Sequence, residues 1–167
     1  SVLAQKIKNA GGQILTGERV NFITPDQKSV SVQTSSGKEF SAERVVNCSG
    51  LYSDHVADKA GARPPMKIIP FRGEYYELNE NARGLVKNLI YPVPDPNFPF
   101  LGVHFTRMIN GGVECGPNAV LAYAREGYSK LKINPSELIE SLTYPGFLRL
   151  AAKFWKTGLG EMWRSVN

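Results

Sequence analysis

The stretch Val45-Val46-Asn47-Cys48-Ser49-Gly50 constrains the fold more than any other part of the chain. Its apolar residues do not alternate with polar ones, so it predicts a strand covered on both faces, as in a parallel sheet. Leu51 to Ala60 follows with helical spacing and is closed by Gly61. Ser53 or Asp54 is placed to cap its first turn, and Leu51, Val56 and Ala60 to face inward. A strand that ends in small residues and turns into a helix is the generic shape of a nucleotide site, because a ligand can approach the backbone there. By itself, however, the pattern is more often a plain strand-to-helix turn. A GxGxxG phosphate loop would make it specific. The 167 residues contain none, and Gly11-Gly12 follows a helical stretch rather than a strand.

The flanking segments supply the rest of an α/β pattern. Val2, Leu3, Ile7 and Ala10 form a helical stripe stopped by Gly11-Gly12. Ile14 to Ile23 reads as extended, and Thr24-Pro25-Asp26 breaks it. Val30 and Val32 alternate with Ser31 and Gln33. Ser35-Ser36-Gly37-Lys38 then turns the chain into a short strand at Phe40. Residues 14–43 are thus a predicted antiparallel meander. Arg63-Pro64-Pro65 marks a change of character and a predicted boundary. Lys67–Leu78 and Leu85–Tyr91 are strand-like, and the four prolines in 92–99 predict a stiff loop. Phe100–Met108 and Val113–Gly116 predict a hairpin about Ile109-Asn110-Gly111-Gly112. Asn134-Pro135-Ser136-Glu137 is a helix start. After Tyr144-Pro145-Gly146, residues Phe147, Leu150, Ala151 and Phe154 recur at amphipathic-helix spacing.

Composition narrows the classes. The chain is 42% apolar and 21% charged, which fits a globular protein and excludes a disordered or fibrous one. No apolar run approaches the ~18–20 residues of a membrane span, and no signal-peptide centre opens the sequence. Cys48 and Cys115 lack zinc-site spacing and are expected as buried free thiols, with no metal site. The net charge of +5 is spread along the chain without a Lys/Arg run, so nucleic acid is not an expected partner.

Read together, several motifs become specific. Glu43-Arg44-Val45-Val46-Asn47-Cys48-Ser49-Gly50-Leu51-Tyr52-Ser53-Asp54 resembles the second flavin-contacting segment of the D-amino-acid-oxidase-like FAD oxidoreductases. Phe71-Arg72-Gly73-Glu74-Tyr75-Tyr76, Ile90-Tyr91-Pro92-Val93-Pro94-Asp95-Pro96, Phe100-Leu101-Gly102-Val103-His104-Phe105-Thr106-Arg107 and Gly116-Pro117-Asn118-Ala119 come next, in that order. With Tyr144-Pro145-Gly146-Phe147 and Glu161-Met162-Trp163-Arg164-Ser165, the series resembles the L-2-hydroxyglutarate dehydrogenase/oxidase branch. The resemblance covers nearly the whole chain.

That resemblance implies a fold of mixed α+β and α/β character. Residues 1–62 would be part of an FAD-binding domain, a β-meander plus strand and helix. Residues 63–167 would be part of a substrate domain with a mainly antiparallel sheet and helices. It also implies an internal fragment without the family's phosphate loop, expected to bind FAD weakly and to lack turnover alone. The implied reaction oxidises L-2-hydroxyglutarate at C2 to 2-oxoglutarate, with hydride passing to the flavin. A glycine- or sarcosine-oxidase-like amino-acid oxidase is the alternative within the superfamily. A non-catalytic module for small acidic ligands is the alternative outside it.

Such a reaction needs partners for two substrate carboxylates and an acceptor for the hydroxyl proton. Arg72 is a candidate bidentate clamp; the competing reading is a structural ion pair with Glu74. His104 is the candidate base, weighed against an imidazole bonded to backbone in a core. Strand periodicity puts Thr106 on the face of His104 and Arg107 on the opposite face. Tyr75, Tyr91, Thr106 and Arg107 complete the expected substrate contacts. His55 is read as a surface residue. For the cofactor, the resemblance assigns backbone contacts to Arg19 and Val20 and to Asn47, Cys48, Ser49 and Gly50. Arg149, Lys153 and Lys156, beside Phe154 and Trp155, leave peripheral membrane contact open, against a helix that simply packs on its own domain. The electron acceptor is not legible. The expected compartment is the cytoplasm, peripheral to the inner membrane if that helix docks there, or the mitochondrion in a eukaryote.

Overall fold

The computed structural model describes residues 1–96 and 102–166. Pro99 of the proline-rich stretch, and Phe100 and Leu101 at the start of a predicted strand, lie outside the described residues. The chain divides into two compact units, Ser1–Ile68 and Ile69–Asn167.

The first unit opens with helix α1 (Val2–Asn9), whose chain reverses at Gly11 with φ 81°. Strands β1 (Val20–Pro25), β2 (Val30–Thr34) and β3 (Glu39–Ala42) form an antiparallel sheet in that order, which is the expected meander. A polar clasp secures its tip. Glu18 accepts hydrogen bonds from Lys38 Nζ (2.6 Å) and Ser36 Oγ (2.7 Å), so the β2–β3 turn is tied to the approach to β1. Helix α2 (Ser53–Lys59) comes after a short 3-10 turn, Gly50–Tyr52.

Three expectations for this unit are corrected. The 45–50 stretch is not a strand, and Val46 is 84% exposed. A strand needs hydrogen-bonded neighbours, and among the described residues none pairs with this segment. Cys48 is exposed for the same reason: among the described residues nothing packs over the open segment. Neither Ser53 nor Asp54 caps α2 with its side chain, and Tyr52 occupies the cap position. Ser53 Oγ instead donates to Gly50 O (2.7 Å). The buried Asp54 accepts from the amides of His55 (2.9 Å) and Ile68 (3.0 Å), holding the end of the unit against its own helix.

The second unit is built on a sheet of β4 (Phe71–Glu77), β5 (His104–Arg107) and β6 (Val113–Leu121), with β6 in the centre and antiparallel to both neighbours. Between β4 and β5 lies the one-turn helix α3 (Glu80–Arg83). Leu85–Tyr91 does not form a strand; its contribution is a single bridge between Ile90 and Phe105. The β5–β6 hairpin closes at the predicted turn, with the Met108 amide donating to Gly112 O. β6 runs beyond its predicted end at Gly116, through Pro117. A proline is tolerated in this central strand because β5 pairs only as far as Gly116, so no ladder bond to β5 is required of Pro117.

Helix α4 (Pro135–Thr143) starts as its sequence dictates, with Asn134 accepting from the Glu137 amide. Glu137 in turn accepts from the amide of the buried Arg125 (2.7 Å), which fixes the loop before the helix. Helix α5 (Pro145–Val166) bends at Phe154, where φ is −119° and ψ 19°. Its predicted stripe of Phe147, Leu150, Ala151 and Phe154 joins Phe71, Val120 and Leu121 around an apolar cavity of about 300 Å³. Lys153 and Lys156 extend over the rings of Phe154 and Trp155.

The clasp at Glu18 has a pH signature. Hydrogen bonds from Lys38, then Ser36 and Thr34, lower its pKa from 4.5 to about 2. A carboxyl depressed on folding stabilises the folded state fully above its unfolded value, and loses that contribution as pH falls through the folded one. Glu18→Gln should therefore flatten the acid limb of the stability curve between about pH 4.5 and 2. Denaturation midpoints measured across that window check it.

Candidate functional site

Four of the sequence-selected residues converge in the second unit. His104 opens β5 and pairs in register with Gly116 on the central strand. Tyr75 lies on β4 where the β4–β6 register shifts, between Glu74 and Tyr76. Its ring folds over Gly116: a Cβ there would lie 2.7 Å from Tyr75 Cδ1 and 2.8 Å from Glu74 O. Only glycine leaves room for that approach. Across this bare patch of backbone, Tyr75 meets the His104 ring edge-on, with centroids 6.2 Å apart. Tyr91 stacks on His104 with centroids 4.5 Å apart and planes 20° apart. The Tyr91 and Thr106 hydroxyls are 3.4 Å apart, so Thr106 lies on the His104 side of β5.

His104 is only 7% exposed, whereas Tyr75 and Tyr91 are each about half exposed. The imidazole is thus buried between two half-exposed tyrosine rings, and in its burial and backbone contact it matches the core alternative that the sequence offered. His104 Nδ1 is 3.1 Å from Gly102 O. A carbonyl can only accept, so Nδ1 carries the proton and donates it. In the neutral ring that assignment makes Nε2 the basic nitrogen.

The two arginines are placed differently. Arg72 pairs with Val120, four residues along β6 from Gly116, or about 13 Å at strand spacing. Its Nη2 and Nε donate to Glu74 Oε1 (2.8 and 3.2 Å), and its Nη1 donates to the carbonyls of Gly127 (3.1 Å) and Ser129 (3.2 Å). This is the structural ion pair that the sequence offered against a substrate clamp. Arg107 Nη1 donates to Val86 O (3.1 Å) and so braces the loop that leads to Tyr91.

A polar network beside Arg72 has no counterpart among the sequence-based expectations. Burial pushes the Glu74 carboxyl up. Hydrogen bonds from Ser165, Arg72 and Asn118, with the charge of Lys130, outweigh that and hold it below the usual carboxylate range. The buried Asn118 donates to Glu161 O (2.9 Å), and the buried Glu161 accepts from the Ala119 amide (3.0 Å) and from Arg164. Arg164 Nε also donates to Asn118 Oδ1 (3.2 Å). An acid at helix spacing from a basic residue, as in Glu161 and Arg164, was the only available signal. Spacing cannot reveal that the acceptor also takes a strand amide 42 residues away.

In the first unit, the segment assigned to a dinucleotide has an open backbone. Gly50 adopts φ 54°, and the space a Cβ would fill is empty. Cys48 and Ser49 beside it are exposed. This stretch leaves its main chain open to a group that approaches the backbone. Asn47 is committed within the turn: its Nδ2 donates to Ser53 O (2.7 Å), and its Oδ1 accepts from the Ser49 amide (3.1 Å). At the other assigned contact, the Arg19 backbone exchanges hydrogen bonds with Ser35, and Val20 O accepts from Lys59 Nζ (3.0 Å). His55, read as a surface residue, is half-buried beside Tyr52, with ring centroids 6.2 Å apart.

Comparison with known proteins gives these residues a context. The family model described as FAD dependent oxidoreductase (DAO) matches residues 1–161. The chain is 55% identical over 98% of its length to an L-2-hydroxyglutarate dehydrogenase of Indibacter alkaliphilus, of which it covers 41%. It is 46% identical over 97% of its length to the mitochondrial L-2-hydroxyglutarate dehydrogenase of Caenorhabditis elegans, covering 38% of that protein. For the Escherichia coli K12 L-2-hydroxyglutarate dehydrogenase, identity is 41% over 99% of the chain and 39% of the relative. The chain therefore spans about two-fifths of the length of these curated relatives.

The partners of Arg72 give a test of its role. Arg72→Ala removes a half-buried donor set, leaves the Gly127 and Ser129 carbonyls without it and takes one of several donors from Glu74, and should lower stability by about 1–3 kcal/mol. Urea midpoints at unchanged slope check this. A fall in kcat/KM at unchanged stability would instead restore the clamp.

Proposed function

The chain belongs to the FAD-dependent oxidoreductase family, and on that premise we propose that it forms part of an enzyme that oxidises L-2-hydroxyglutarate to 2-oxoglutarate. The observation that carries this reading is the 55% identity to a dehydrogenase of that name, over 98% of the chain. In this reading the first unit contributes backbone contacts to FAD around Cys48, Ser49 and Gly50, where the geometry leaves the main chain open. The second unit contributes the substrate contacts.

FAD, when bound, supplies an acceptor for the hydride that leaves C2 of the substrate. This chain's own residues handle the proton. His104 Nε2 takes it from the C2 hydroxyl, because Nδ1 is already committed to Gly102 O. Burial of His104 beneath two aromatic rings keeps water away from the transfer. The Thr106 and Tyr75 hydroxyls are the neutral donors for a substrate carboxylate. Arg72 and Arg107 support the site through Glu74 and the Val86 carbonyl rather than by gripping substrate. Among the described residues no helix is long and apolar enough to cross a membrane. The surface of this chain offered to a membrane in this reading is the basic side of α5.

A visible spectrum of the holoenzyme tests the class: the flavin bands should bleach on addition of L-2-hydroxyglutarate and not on addition of glycine or sarcosine. His104→Ala should slow flavin reduction by about 10²–10⁴-fold if its nitrogen takes the proton. Reduction within a few-fold of wild type would remove His104 from that role.

A further inference from the structure

The geometry points to Tyr91 as a positioning residue that fixes the plane of the His104 imidazole by stacking, rather than a residue that holds substrate through its hydroxyl. The inference rests on the reading of His104 as the proton acceptor. Three observations carry it. The two rings lie 4.5 Å apart at only 20°, close to parallel, whereas Tyr75 meets the same imidazole edge-on at 69°. The Tyr91 hydroxyl is turned to the Thr106 hydroxyl, which leaves the aromatic face as its contact with the histidine. Finally, the chain on both sides of the pair is locked. Ile90 exchanges backbone hydrogen bonds with Phe105, the neighbour of His104 (3.0 and 2.9 Å). Pro92 packs so closely on Gly102 that a Cβ at Gly102 would lie 2.7 Å from Pro92 Cγ.

These contacts form one device. Gly102 holds the imidazole through its carbonyl and, having no side chain, also admits Pro92. Pro92 carries the preceding Tyr91 onto the ring. A proton acceptor works only while its lone pair points at the donor, and an imidazole with one hydrogen bond, at Nδ1, can still tilt about its side-chain torsions. Stacking on one face and the Tyr75 edge contact remove that tilt.

The test uses the flavin-loaded protein and two readouts, the rate of flavin reduction at saturating substrate and the 15N resonances of His104. Tyr91→Phe keeps the stack and should hold the rate within twofold, with Nδ1 still protonated. Tyr91→Leu removes the stack and should lower the rate roughly three- to tenfold. KM should stay unchanged, the pH profile of the rate should shift, and the His104 15N pattern should become tautomer-averaged. Gly102→Ala reaches the same place by displacing Pro92 and should reproduce that pattern even if Tyr91→Leu fails to fold. In a His104→Ala background, Tyr91→Leu should add no further loss. A wild-type rate and 15N pattern in Tyr91→Leu or Gly102→Ala would overturn the inference. So would a loss in Tyr91→Phe as large as in Tyr91→Leu, a change confined to KM, or an additive loss in the His104→Ala background. A normal rate in His104→Ala alone would instead overturn the proton-acceptor reading, while the 15N pattern still reports whether Tyr91 sets the ring.

Discussion

The close approach of the Tyr75 ring to the bare backbone of Gly116 organises the second unit. A methyl group at that position would meet both the ring and the Glu74 carbonyl at under 3 Å, so the sheet could not keep its present register with any other residue there. Because Gly116 pairs with His104, the same gap lets a β4 side chain reach across the central strand to a β5 imidazole. The β4–β6 register shifts beside Tyr75, opposite Gly116 and Pro117. β4, β6 and β5 are thereby brought to bear on one histidine.

The sheet also needs its back held. α5 supplies this with apolar side chains around Phe71, Val120 and Leu121, and with Glu161, whose carboxylate accepts from the Ala119 amide. An acid buried that deeply is tolerable only when its lone pairs are filled, and here Ala119 and Arg164 fill them. Asn118 passes the connection on to Glu74, and Glu74 to Arg72. These ionic interactions therefore serve the architecture. The residues proposed for the chemistry are an imidazole and hydroxyl groups.

Local rules were readable wherever one segment carried both partners. The meander, the Gly111 turn, the Asn134 cap and the apolar stripe of α5 each depend on residues within about a dozen positions, and each formed. The Val45–Gly50 segment shows the limit. Its apolar run is a genuine requirement for cover on two faces, yet the described residues provide no neighbouring strands, and an extended segment without hydrogen-bonded partners has no reason to become a strand. The exposure of Cys48 has the same origin, since a thiol is buried only where something packs over it.

For the candidate site, the sequence by itself determined the chemical inventory and the alternation that set His104 and Thr106 on one face and Arg107 on the other. A strand's period of two is a property of the backbone and needs no knowledge of the fold. The motif series also carried the family. Only the tertiary structure decided which members of the inventory meet. Arg72 and Glu74 are as consistent with a substrate clamp as with an ion pair until the carbonyls of Gly127 and Ser129 arrive from 55 and 57 residues away. Tyr91 and His104 are 13 positions apart on different segments, and the stacking of their rings depends on Pro92 fitting against a residue with no side chain. Steric gaps and long-range carbonyl acceptors leave no periodic mark in a sequence, because they arise from the path of the backbone through space rather than from the order of residues along it.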